Sequence, residues 1–378
     1  MILRSVGGIA QIPAAAWDRL VGESGSPFLE HRWLRLLEES GSASDETGWY
    51  PQHLTLWDGE ELVAAAPTYI KTHSMGEFVY DWAWAHAARQ MGAGYYPKVV
   101  VGVPFTPATG ARLLTAPDRP RDPLLKALVG GLHELCRATG CHGVHVLFPT
   151  EAEAAALEPL GGATRLQFQF HWEDAGYGDF EGFLARMKTK RRGELRRERR
   201  RLAETGVVCK ILEGDALDDE HIEQMRRFYV NTADRFGGEI YLNDNFWAGA
   251  LDAFRDRIQL VFAYDGARPI AGALNIKKGD RLYGRYWGFS AEVPFLHFEV
   301  CYYQPIEYCL KHGLVAFEPG HGGGHKYPRG FEPRLCRSSH WLSEPRFDHA
   351  IRDYLRRERT AVLAQTAELL AASPLAGD

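Results

Sequence analysis

No apolar run in this 378-residue chain approaches the roughly 18 residues that a membrane-crossing helix needs. The first twenty residues lack a charged-then-apolar leader pattern, which Gly7, Gly8 and Pro13 interrupt. Cysteine is scarce: six in all, too few to staple so long a chain, so a reduced, cytoplasmic protein is expected. Neither sign of charge dominates. With 44 Lys and Arg against 49 Asp and Glu, the net charge is −5, and any basic cluster is a local device. No Gly-Lys-Ser/Thr phosphate loop and no Gly-x-Ser-x-Gly elbow occurs, which sets aside Walker-type nucleotide hydrolysis and elbow-type serine hydrolysis.

What is present is globular in composition, 45% apolar and 25% charged, and long enough for two domains. Residues 27–40 read as a helix opened by Pro27 and followed by Gly41. Asp58-Gly59 lies between two alternating apolar runs and marks a hairpin. A long insertion follows, then an amphipathic helix through Leu124, Leu128, Leu132 and Cys136, then a strand, Val144 to Phe148, stopped by Pro149. The order recurs downstream. Helices 217–236 and 243–257, the second capped by Asn243, precede a hairpin turning at Asp265-Gly266, a helix 297–311 and a strand 314–317 stopped by Pro319. The two Asp-Gly turns are 207 residues apart (265 − 58). A duplicated α/β unit with mixed, mostly antiparallel sheets is expected, split into residues 1–165 and 166–378. The second part begins with a basic helix at about 184–205. From Arg186 to Arg201, ten of sixteen residues are Lys or Arg, more than pairing with Glu194 and Glu198 requires, and Arg191, Arg192, Arg196 and Arg200 are candidates to meet RNA phosphates.

Two stretches concentrate chemistry. Glu318 to Phe331 places four glycines in positions 320–324 directly before His325, Lys326 and Arg329. Such a loop turns successive N–H groups into one concavity suited to an anion, with the cations adding donors. The second stretch is Lys71 to His86, where His73, Glu77 and Asp81 are spaced by four and share a face in either regular structure. Alternating Phe78, Tyr80, Trp82 and Trp84 favour a strand with an aromatic face, against which a carboxylate is desolvated toward a useful base. Tyr95-Tyr96-Pro97-Lys98 and Pro104-Phe105-Thr106-Pro107 supply a rim. His133, Cys136, Cys141, His142 and His145 cluster in sequence but fall on separate elements, so no metal is expected.

Read together, His73-Ser-Met-Gly-Glu-Phe-Val-Tyr-Asp-Trp82, Tyr95-Tyr-Pro-Lys98, Pro104-Phe-Thr-Pro107, Gln169-Phe-His-Trp172 and His325-Lys-x-x-Arg-Gly-Phe331 resemble the FemAB-like predicted N-acyltransferases of peptidoglycan biosynthesis or recognition. The similarity runs from Ser26 to Trp341 in order. It implies tandem GNAT-like domains and transfer of an acyl or aminoacyl group onto a small-molecule or peptide amine. It also implies aminoacyl-tRNA as donor ahead of acyl-CoA, with no tightly bound cofactor; tRNA would then partner the basic helix. Where the family reads Gly-Ala-Gln-Gly-Glu-His-Lys, this chain has Gly322 and Gly324 in place of the Gln and Glu. That moves the expected base to Asp81, then Glu77, then His73. Substrate contacts are expected from Lys71, Trp82, Tyr95, Tyr96, Lys98, Thr106, His171, Arg285, His325, Lys326 and Arg329. The only CoA-type loop pattern, Arg89 to Gly94, precedes a Tyr-Pro stretch and no helix. A non-catalytic binder of RNA or a cell-wall precursor on the same fold is the alternative.

Overall fold

A computed structural model describes residues 1–376. The chain forms two compact units, Met1–Gln167 with Leu335–Ala364, and Phe168–Arg334 with Gln365–Asp378. The expected division at 165/166 is thus displaced by two residues, and 335–364, expected in the second domain, belong to the first unit.

In the first unit β1 (Ile2–Val6) precedes helices α1 (Ala14–Val21) and α2 (His31–Glu39). Strands β2 (Trp49–Pro51), β3 (His53–Asp58), β4 (Glu61–Ala66) and β5 (Thr68–Lys71) lead to α3 (Trp82–Gln90), β6 (Lys98–Val101) and β7 (Leu114–Thr115). Helix α4 (Arg121–Ala138), β8 (Gly143–Leu147) and α5 (Glu151–Leu157) complete the first pass, and β9 (Ala163–Glu173) leads into the second unit. The hairpin at Asp58-Gly59 forms as read, with Gly59 at φ 63°. β6 pairs with β8 in parallel, the long helix α4 making the crossover, which a parallel pair requires. The 71–86 stretch does not form the expected strand. β5 ends at Lys71, and Phe78 and Tyr80 sit at φ 59° and 52°, values that no strand accommodates. Trp82 and Trp84 belong to α3, whose alanines at 83, 85, 87 and 88 outweigh the aromatic alternation.

The second unit opens with α6 (Phe180–Arg186) and α7 (Thr189–Ala203), where a single basic helix was expected. The chain turns extended at Met187 (ψ 143°), ending the first helix. β10 (Val208–Glu213) and helices α8 (Asp219–Phe236) and α9 (Asp244–Phe254) follow. The Asn243 side chain accepts from the Phe246 N–H and caps α9. Strands β11 (Ile258–Asp265), β12 (Arg268–Lys278) and β13 (Arg281–Phe289) form an antiparallel meander. A helical segment then runs through α10 (Leu296–Phe298), a π-helical turn at Glu299–Tyr303, and α11 (Gln304–His312). It returns the chain to β14 (Ala316–Glu318), parallel to β13. β15 (Glu332–Leu342) and α12 (Pro345–Ala371) close the chain. Trp172, Phe183, Tyr303, Ile306, Phe317 and Phe331 pack the core of this unit. Among the described residues no helix is long and apolar enough to cross a membrane.

Candidate functional site

The second unit opens its sheet where β13 and β14 part. Pairing covers only Arg281–Tyr283 against Ala316–Glu318, while β13 continues to Phe289. Gly284 lets the turning backbone approach: a Cβ there would meet the Pro319 Cα at 3.1 Å. Opposite β12 the register shifts so that Leu274 faces Tyr286 and Asn275 faces Gly284. Arg285 is therefore the bulged residue, its side chain re-aimed. Between the parted strands and the π-helical turn lies a cavity of about 300 Å³.

Its walls carry Arg285, Lys326 and three histidines, His297, His321 and His325, with Tyr302, Tyr286 and Trp287, and no carboxylate among the lining residues. Lys326 is 3% exposed, and its Nζ donates to the carbonyls of Gly320 (2.6 Å) and His321 (3.4 Å). Burial brings its pKa down to about 8, since desolvation penalises the ammonium. Burial, with smaller contributions from His325 and Lys326, lowers His297 to about 3, and burial with Lys326 lowers His321 to about 4. His325 is lowered for the same reasons and shares a 2.8 Å hydrogen bond with the Tyr302 hydroxyl. The imidazoles are thus neutral at physiological pH beside two fixed cations. Gly320, Gly322 and Gly323 all adopt φ between 71° and 82°, which only glycine takes without penalty. The last loop glycine, Gly324, begins a short 3-10 turn running to Arg329.

Arg329 occupies itself otherwise. It pairs with Glu198 at 2.7 Å, donates to the Tyr303 hydroxyl (3.1 Å) and the His325 carbonyl (2.7 Å), and lies 3.2 Å over the Phe298 ring. Its guanidinium ties the loop to α7. His171, buried on β9, has its pKa brought down to about 3 by burial and Arg334. It lies 3.4 Å from Gln169, which lies 3.4 Å from His321 of the cavity wall.

The first unit gathers a second cluster. Lys98, fully buried at the start of β6, donates to Asp81 (2.5 Å), Glu77 (2.7 Å) and Ser74 (2.9 Å). Tyr95 also donates to Asp81 (2.5 Å), and Tyr96 meets Ser74 at 2.7 Å. Burial opposes Asp81's charge, yet Lys98 holds its carboxylate well below the usual range. Burial raises Glu77 to about 7. Lys71, also buried, is lowered by desolvation to about 7 and sits 4.0 Å over the Trp49 ring. His73 accepts from the Met75 N–H (3.2 Å). Trp82 is half exposed at the start of α3, and the buried Thr106 donates to the Pro104 carbonyl (2.9 Å). What the geometry gives Glu77 and Asp81 is a shared ion pair with Lys98. Asp81, held that far down, is a weak base; Glu77, raised to about 7, has the pKa of a base, but it is 3% exposed and its carboxylate is engaged by Lys98.

On α7 the four arginines expected to meet phosphate have internal partners. Arg191 pairs with Glu194 (2.7 Å), Arg196 with Glu181 (2.5 Å) and Arg200 with Glu204 (3.7 Å), while Arg192 donates to the Ala185 carbonyl (3.4 Å). Sequence reasoning missed His297, His321, Tyr302 and Trp287 as cavity residues. The signal for His297 was available: it opens the helix between two parallel strands, at the end where α/β sheets bind ligands.

Each unit sets a helix-bridged parallel strand pair beside antiparallel strands, and two such units in succession make a tandem GNAT-like protein of the acyltransferase class. The chain belongs to the FemAB-like family, described as peptidoglycan biosynthesis/recognition, which it matches over residues 8–376. Among solved structures it is similar to FemX, with 12% identity, TM-score 0.52, 92% of this chain and 99% of that one covered. It is also similar to the C-terminal domain of a putative lysylphosphatidylglycerol synthetase from Agrobacterium fabrum, at 9% identity and TM-score 0.54, covering 89% and 92%. Among curated proteins none matches significantly by sequence.

Proposed function

We propose that this chain is an N-acyltransferase that joins the acyl group of an ester or thioester donor to a substrate amine in the second unit's cavity. The observation that carries the reading is a cavity with Lys326, Arg285 and neutral imidazoles in its walls and no carboxylate. Such a site favours the negative charge that develops on an acyl oxygen. The amine nitrogen attacks the carbonyl carbon, the C–N bond forms, and the C–O or C–S bond to the leaving group breaks. Lys326 faces the oxyanion. His325 takes the proton from the nitrogen and returns it to the leaving group, with Tyr302 orienting the ring. An amine of pKa about 9 costs roughly 2.7 kcal/mol to deprotonate at pH 7, which a neutral imidazole in the cavity offsets in part.

Family membership supports peptidoglycan-related biosynthesis as the setting and a peptide or small-molecule amine as acceptor. Aminoacyl-tRNA is the donor the resemblance favours, with α7 as its docking face. The internal pairing of Arg191, Arg196 and Arg200 lends that face little support, so charged tRNA and acyl-CoA are to be offered separately. Six free cysteines fit a reducing compartment, and we place the activity in the cytoplasm. Lys326→Met should cut kcat by about 10²–10³-fold with circular dichroism unchanged. Wild-type turnover in the folded variant, with whichever donor is active, removes Lys326 from the reaction.

A further inference from the structure

Trp287 and His297, whose rings lie 4.3 Å apart between centroids, line a second hollow of about 490 Å³ in the same unit. Its other walls include Phe236, Phe289, Ala291, Val293, Phe295 and Phe298. Its one charged side chain, Glu292, is paired with Arg235, which itself lies 5.0 Å over the Phe289 ring. The hollow is therefore apolar, without net charge, and adjoins the cationic cavity, with which it shares Trp287 and His297 as walls. Phe236 stands at its rim, 68% exposed.

We propose that this hollow is a subsite for the alkyl chain of the transferred acyl group, so that the donor is an alkanoyl thioester. The proposal rests on the reading of the cavity as the place where an acyl carbonyl meets Lys326. Two features select an alkanoyl over an aminoacyl group. The hollow's walls are apolar and its one carboxylate is already paired with Arg235, so a polar or charged side chain of an aminoacyl group finds no partner there. The hollow also has the volume of a site for a whole small ligand, more than one amino-acid side chain fills. The polar leaving group occupies the cavity mouth, and the chain leaves the carbonyl past Trp287 and His297 into the hollow.

Calorimetric titration of the full chain with butyrate, hexanoate and octanoate, carboxylates that stand in for the acyl group, tests this directly. L-phenylalanine and L-leucine form the competing arm. Affinity should rise roughly fourfold for each added methylene, and both amino acids should bind more weakly than octanoate. Ala291→Trp, which fills the hollow, and Phe236→Asp, which charges its exposed rim, should each bring the octanoate-to-butyrate ratio toward one. Lys326→Met should weaken all three carboxylates by a common factor and keep the ratio. A flat affinity across chain lengths, tighter binding of L-phenylalanine than of octanoate, or a ratio untouched by either hollow variant overturns the subsite. Transfer from charged tRNA alongside flat binding retires the subsite and keeps the transferase; length-dependent binding without transfer to any amine does the reverse.

Discussion

Lys98 pairs with two carboxylates through one ammonium, and all three groups are buried. Removing a partner leaves charge in low dielectric, which costs far more than the intact arrangement contributes. Lys98→Met should therefore lower unfolding free energy by about 3 kcal/mol, and adding Glu77→Gln and Asp81→Asn should recover most of it. Urea titration of the single and triple variants checks this; a loss under about 1 kcal/mol in the single variant would show that the carboxylates take up a proton or turn to Lys71 instead. The pH dependence has a definite sign. Asp81's folded pKa is depressed by Lys98, so its contribution is present above the unfolded value of about 3.9 and disappears as pH falls through the folded value. Lys326 behaves oppositely in catalysis. Its ammonium is lost as pH rises through about 8, so kcat/KM should fall on that alkaline limb, and Lys326→Arg, which stays charged, should lack it. A wild-type rate still climbing at pH 9 would contradict the role. The spacing of Glu77 and Asp81 placed them on one face of a regular element; a loop and a helix start bring them together on Lys98 instead, which no repeat in the sequence announces.

At the scale of elements, α8 lies almost on the backbone of β13. A Cβ on Gly288 would stand 1.9 Å from the Phe228 carbonyl oxygen and 2.8 Å from Thr232 Oγ1. Gly288→Ala must push the helix off the strand that carries Arg285, Tyr286 and Trp287 into the cavity wall. Overpacking of this kind costs about 1–3 kcal/mol, and here it should also raise KM for the acyl donor. Equal Tm and KM in variant and wild type would show that the helix yields freely. The hairpins at Asp58-Gly59 and Asp265-Gly266 and the cap at Asn243 were readable because each depends on residues adjacent in sequence. The segment 72–81 was not: nothing in a period of two or four announces Phe78 and Tyr80 in the left-handed region, which long-range packing must sustain. The break between α6 and α7 was hidden similarly, since Met187 and Lys188 are ordinary helix formers.

For the whole molecule, the duplicated order of helix, hairpin, long helix and strand was visible in the sequence, whereas the membership of residues 335–364 in the first unit was not, because contacts distant in sequence decide it. The charge distribution leads to the last prediction. With a net charge of −5, RNA is attracted only through a local patch, and on α7 the exposed cations are reduced by internal pairing. Lys190, Arg197 and Arg201 remain exposed. Three phosphate contacts give a slope of roughly −2 to −3 in log K against log salt, shallow for an RNA-binding face. Filter binding of transfer RNA between about 50 and 200 mM salt should show that slope, and Lys190→Gln with Arg197→Gln and Arg201→Gln should bring it near zero. Changing Arg196 and Arg200, which are already paired, should alter it little. A slope beyond about −6, or one indifferent to the triple substitution, would mean that RNA is held by some other face and that α7 serves mainly, through Arg329–Glu198 and Arg199 with Glu299 and Glu307, to fix the loop and π-helical turn that wall the cavity.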